Sequence, residues 1–100
     1  MGERHSERAA PTVKDLADRY IEQHLPKKRP ASRQEDQTML DQIVLPRLGK
    51  LKVAKVRHGD IDRLHREISK RVPIRANRCV ALLSKMFSLA IKWEMRTDTP

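Results

Sequence analysis

The sequence predicts an all-α fold, a compact bundle of about four helices, and three observations predict it. The stretch Pro73 to Trp93 has no internal Pro or Gly after its first residue, and its apolar residues recur at helical spacing. Two further stretches, Val13 to Ile21 and Ile61 to Val72, repeat that spacing. No paired runs of alternating residues joined by hairpin turns interrupt them.

The chain is organised around the last of these helices. Ala76, Val80, Leu83, Phe87 and Ala90 form one stripe, and Leu82, Met86, Leu89 and Trp93 a second beside it. With Cys79 and Ile91 they cover roughly 200° of the helix, so neighbours must wrap it. The remaining arc holds Asn77, Arg78, Ala81, Ser84, Lys85, Ser88 and Lys92, with no carboxylate. One helix is thus expected to hold the core and to present a cationic strip.

The other elements follow in chain order. Met1 to Pro11 is polar throughout, without the apolar run of a signal peptide, and reads as a disordered leader. Thr12 caps the first helix with Asp15 three residues on, and Val13, Leu16, Ala17, Tyr20 and Ile21 face inward. Leu25-Pro26 ends it, and two prolines keep the basic connector Pro26 to Pro30 out of helix. Ser32 opens the second helix through a capping box with Glu35. Its polar start, Arg33 to Thr38, is expected in solvent or against a partner. Met39, Leu40, Ile43 and Val44 pack inward, and Pro46 and Gly49 stop the helix. Leu45 to Val56 reads as an extended, anchored loop, since Leu51 and Val53 could alternate as a strand but have no second strand to pair with. Asp60 and Asp62 favour a helix N-terminus. The third helix places Ile61, Leu64, Ile68 and Val72 inward and Arg63, Arg66 and Lys70 mostly outward, until Pro73 breaks it.

Composition narrows the function. One hundred residues make one domain at most, with a mainly aliphatic core, because Tyr20, Phe87 and Trp93 are the only aromatics. The net charge of +9 is uneven: residues 1–50 carry +2 and residues 51–100 carry +7. A basic half points to a polyanion, nucleic acid before acidic membrane. No apolar run approaches a membrane span. The single cysteine, Cys79, can build neither a disulfide framework nor a metal set, which suits a reducing cytoplasm.

Catalytic patterns are missing. The glycines are scattered, and His5, His24, His58 and His65 reach metal spacing with no Cys or paired carboxylate. His58 and Asp62, four apart, supply two ligands where a site needs three or four. His65 is expected to pack half-buried beside the core stripe. Tyr20 has no base or cationic clamp nearby that would make it a nucleophile. Met86 and Trp93, at the junction of the two arcs, are expected to serve packing.

Three segments resemble one family. Ile43 to Ile61 (IVLPRLGKLKVAKVRHGDI) is similar to the "apolar–x–Pro–x–Leu–Gly … Leu … Val … Asp-Ile" pattern of phage-type integrases, the tyrosine recombinases. Ala76 to Pro100 resembles their "Ala-Asn-Arg … Leu … Phe … Ala … Trp … Asn-Pro" segment, and Thr12 to His24 resembles their first helix. The resemblance implies a SAM-like core-binding domain over residues 12–96, a helical bundle on one side of double-stranded DNA. It further implies a linker starting at 97–100, a catalytic domain of the same chain beyond it, and other protomers on the DNA. The family cleaves DNA with a tyrosine held near two arginines, a lysine and histidines, without metal or nucleotide cofactor. None of that constellation is expected here, so no catalysis of its own and no cofactor is assigned. Thr99 stands where Asn is commoner, and Arg57-His58 near where Thr often caps the third helix. His5-Ser6-Glu7-Arg8 mimics the catalytic His-x-x-Arg but precedes the domain, a chance match.

The expected DNA-binding residues are Lys27, Lys28, Arg29, Lys50, Lys52, Lys55, Asn77, Arg78, Lys85 and Lys92. The cations would neutralise phosphates, while Asn77 suits adenine and Arg78 guanine in the major groove. The rival readings are a helical protein-interaction module whose basic face meets an acidic partner, and an enzyme fragment using Tyr20.

Overall fold

The computed structural model describes residues 10–97, and the leader through residue 9, its His-x-x-Arg match and the linker segment 98–100 lie outside them. The fold is all-α: α1 (Val13–Gln23), α2 (Pro30–Met39), a single turn α3 (Leu45–Leu48), α4 (His58–Ser69) and α5 (Pro73–Lys92).

The capping box at Thr12 forms as expected. The Asp15 backbone N–H donates to Thr12 Oγ1 at 3.3 Å, and Thr12 N–H donates to Asp15 Oδ2 at 2.9 Å. The second helix departs from expectation at both ends. It starts at Pro30, not Ser32, with Arg29 as the flanking residue. Proline lacks only an N–H that the first turn leaves unpaired, and its fixed φ suits a helix start. The basic connector therefore shrinks, and a 3₁₀ turn over Leu25–Lys27 occupies its first half. At the other end Pro46 does not stop the helix. The chain widens into a π turn over Leu40–Val44, where Leu45 N–H bonds Leu40 O, and re-enters helix as α3. A proline ring collides with the carbonyl four residues before it, and a widened turn clears that clash. Gly49 does end the run. A Cβ there would stand 2.6 Å from Leu45 O, closer than any side chain can come.

Leu45 to Val56, expected as an extended loop, is instead helical over Leu45–Leu48, passes through a short link and closes in a 3₁₀ turn over Val53–Lys55. It is anchored to the start of α1, because Val13 N–H bonds Leu51 O at 2.8 Å and Val53 N–H bonds Pro11 O at 2.9 Å. Thr12 and Lys52 form an isolated antiparallel bridge. Val53 is buried, whereas Leu51 faces out.

α4 buries Leu64 and Ile68, with Ile61 packed at the margin. Val72, expected inside, is 45% exposed. The helix stops at Ser69, so the residues after it leave the 3.6-residue register that would have carried Val72 inward. α5 pairs mainly with α4 and also lies along α1. Ala76, Cys79, Leu82, Leu83, Met86, Phe87 and Ala90 are buried, and Val80, Leu89, Ile91 and Trp93 sit at the core margin. Burial pushes the Cys79 thiol up to about 11, against the pull of Arg47 and Arg75. α5 ends in a Schellman turn with Glu94, at φ 62°, in the left-handed position that glycine usually holds. Met95 N–H bonds Ala90 O at 2.7 Å and Glu94 N–H bonds Ile91 O at 3.0 Å. Beyond it Arg96 Nη1 donates to Val53 O and Val56 O, and its guanidinium lies 5.4 Å from the Phe87 ring centre, tying the chain's exit to the link before α4.

Phe87 is fully buried at the centre of this packing. Phe87→Ala should cost about 3–5 kcal/mol, a large share of the stability of so small a domain. A thermal melt that overlays wild type would contradict this placement.

Candidate nucleic-acid interface

The arc of α5 turned away from the core is open along its length. Asn77, Arg78, Ala81, Ser84, Lys85, Ser88 and Lys92 are all exposed. Lys85 and Lys92 form no ion pair with any described residue. The arc itself carries no carboxylate, but α2 supplies one: Glu35 Oε2 accepts a charge-assisted bond from Arg78 Nη1. Glu35, expected to cap its own helix, thus holds an arginine of α5. Asn77 is also held, its Oδ1 lying 2.8 Å from His65 Nε2 on α4. An amide oxygen can only accept, so the ring nitrogen carries the proton and the Asn77 amide N–H₂ is left for another acceptor. His65 is half-buried, as its place beside the core stripe suggests.

The connector meets the same face at Lys28. Burial lowers the His24 pKa, and Lys85, Lys28 and Lys27 lower it further, with only Asp36 opposing. Lys28, Arg78 and Lys85 line one cleft between α2 and α5. Lys28 is already engaged, since its Nζ lies 2.7 Å from Asp36 Oδ2. The polar start of α2 was expected in solvent or against a partner, yet Asp36 is buried and also accepts the Tyr20 hydroxyl at 2.8 Å. Spacing carried the missed signal: Asp36, Met39, Leu40 and Ile43 share one helix face, and a buried tyrosine hydroxyl requires a partner.

The second basic link lies elsewhere. Lys52 pairs with Thr12 at the start of α1, and its Nζ reaches Ala10 O at 3.5 Å. The connector follows the end of α1, about 16 Å away along an eleven-residue helix. Lys50, Lys52 and Lys55 are therefore not part of the cleft that gathers Lys28, Arg78 and Lys85. Arg29 is exposed at the start of α2. Met86 is buried, and Trp93 carries the Arg19 guanidinium 4.5 Å from its ring centre, a contact the sequence did not suggest.

No group of three metal-ligating side chains occurs among the described residues, and Asp62 pairs with Arg66 at 3.5 Å. Tyr20 is buried, and its hydroxyl donates to an Asp36 carboxylate that Lys28 also engages, an arrangement that serves packing. Burial first, then the hydrogen bond and charge of Asp36, push its phenol well above the ordinary range, opposite to activation.

Compared with known families, residues 13–100 match the phage integrase central domain. The chain belongs to that family. Comparison with curated proteins and with solved structures matched none. As a phage integrase central domain, it has the all-α build that its helical spacings predict. No helix among the described residues is long and apolar enough to cross a membrane.

The buried Tyr20–Asp36 pair yields a pH prediction. A raised phenol pKa means that the unfolded chain ionises first, so this stabilisation is whole below about pH 10 and falls as pH rises beyond it. Between pH 9 and 11.5 the urea midpoint of wild type should drop more steeply than that of Tyr20→Phe. Cys79 titrates in both proteins and cancels in the comparison. Parallel profiles would show that the phenol is not held protonated.

Proposed function

We propose that this domain binds double-stranded DNA through the exposed arc of α5 and the adjoining connector, as the core-site-holding part of a site-specific tyrosine recombinase. The observation that carries the reading is the open arc of α5, on which Lys85 and Lys92 form no ion pair with any described residue, beside a cleft that Lys28 and Arg78 also line. The two unpaired lysines suit a phosphate backbone, which fixes position without reading sequence, and Lys27, Lys28 and Arg78 would join them there. Arg29 extends the set at the start of α2. Lys50, Lys52 and Lys55 would meet the duplex separately, at the other end of α1. Sequence reading falls to Asn77 and Arg78, whose amide and guanidinium match adenine and guanine edges. On this reading residues 12–96 are the DNA-binding unit, strand cleavage belongs to a catalytic domain of the same recombinase, and further protomers share the site. No metal or nucleotide has a part in the binding.

Binding should weaken steeply with salt, with a log–log slope of about −0.9 per phosphate neutralised. Lys85→Ala should make that slope shallower by about one unit and weaken a selected duplex and its scrambled counterpart alike. An unchanged slope would remove Lys85 from the interface.

Asn77→Ala should cost roughly 1–3 kcal/mol on the selected duplex and little on the scrambled one. Because Asn77 also bonds His65, its melting temperature is measured beside the titration. Equal losses on both duplexes with an unchanged melt would make Asn77 a phosphate contact. A lowered melt with no selective loss would make it a strut between α4 and α5.

A further inference from the structure

Among the described residues, two of the three large apolar side chains left in solvent flank Pro73 at the α4–α5 junction: Val72 at 45% and Ile74 at 73% exposure. Leu51, at 37%, is the third. Ile74 is also in register with the cationic arc. Positions 74, 78, 81, 85, 88 and 92 advance by alternating steps of four and three, the spacing of a single helix face. Arg71, Arg75 and Arg78 border the junction, and Glu35, already bonded to Arg78, is the acid among them.

The surroundings decide the occupant. An apolar side chain ringed by arginines, at the head of a strip of an amide and lysines, complements a polyanion that also offers an apolar group. Duplex DNA has one such group on its major-groove edge, the 5-methyl of thymine. A hydrogen-bonding side chain cannot recognise a methyl, whereas an exposed isoleucine can cover it and take both from water. We infer that Ile74 is a specificity residue of this domain, reading a thymine methyl one helical turn from Asn77. This rests on the DNA-binding reading and adds to it a residue that hydrogen-bonding arguments do not find.

The test separates the two. The domain is used to enrich a duplex from a random pool, and each thymine of that duplex is replaced in turn by uracil, which removes the methyl and keeps every hydrogen bond. At one position the swap should weaken wild-type binding by about fourfold, the worth of one buried methyl group. In Ile74→Ala that response should vanish while responses at other thymines persist. Melting curves should overlay, because the side chain stands in solvent. A uracil response at every position that is unaltered in Ile74→Ala overturns the inference. So does a pool that enriches no sequence while salt-dependent binding persists, which leaves phosphate binding intact. Absence of binding to any duplex sinks both readings. Loss of self-association on Ile74→Ala in sedimentation, with an unaltered uracil scan, would assign the patch to a second copy of the chain instead.

Discussion

How α5 is buried sets the rest of the molecule. An apolar surface covering more than half of a helix about 30 Å long cannot be hidden by one partner, so α4, α1 and the anchored link must each take a share. The Arg96 bonds to Val53 and Val56 close the last side of that wrapping around Phe87. What escapes is one continuous strip, and its composition is free of packing demands. Packing therefore fixes where a functional face can lie and leaves its chemistry to exposed residues.

Among the described residues the interior holds one charged side chain. Asp36 is a buried carboxylate with two partners, Tyr20 from α1 and Lys28 from the connector. Removing either partner of a buried charge costs more than the pair contributes, because the other is left uncompensated. The triad joins the end of α1, the connector and α2 through one carboxylate. It also commits Lys28 to the protein's own charge, so that this lysine positions the connector while Lys27 and Lys85 stay free of ion pairs among the described residues.

Much of this is legible in the sequence. The apolar spacing of Val13 to Ile21 and Pro73 to Trp93, and the Thr12–Asp15 box, report local physics, and they hold. The failures share a cause: a local signal outweighed by a neighbour's. Ser32 and Glu35 have the spacing of a capping box, but Pro30 starts the helix a turn earlier and Arg78, 43 residues away, takes the Glu35 carboxylate. Pro46 reads as a stop, yet one widened turn absorbs its ring. Of the candidate site, the exposed arc of α5 could be read from periodicity. The bonds that hold Arg78 and Asn77 could not, because each joins helices whose relative placement no single helix encodes.

Those bonds bear on how the face would work. A solvent-exposed Arg–Glu pair contributes at most about 1 kcal/mol, so a phosphate or base edge can take Arg78 from Glu35 at little cost. Until then the pair keeps the guanidinium on the strip and restricts the rotamers that ordering at an interface would otherwise have to freeze. His65 does the same for Asn77 without competing for its amide N–H₂. Ile74 needs no such tether, since β-branching already limits its side chain. The face of α5 thus combines untethered lysines, suited to phosphates that tolerate a flexible partner, with tethered or stiff side chains at 74, 77 and 78, where recognition of a base edge would demand a fixed position.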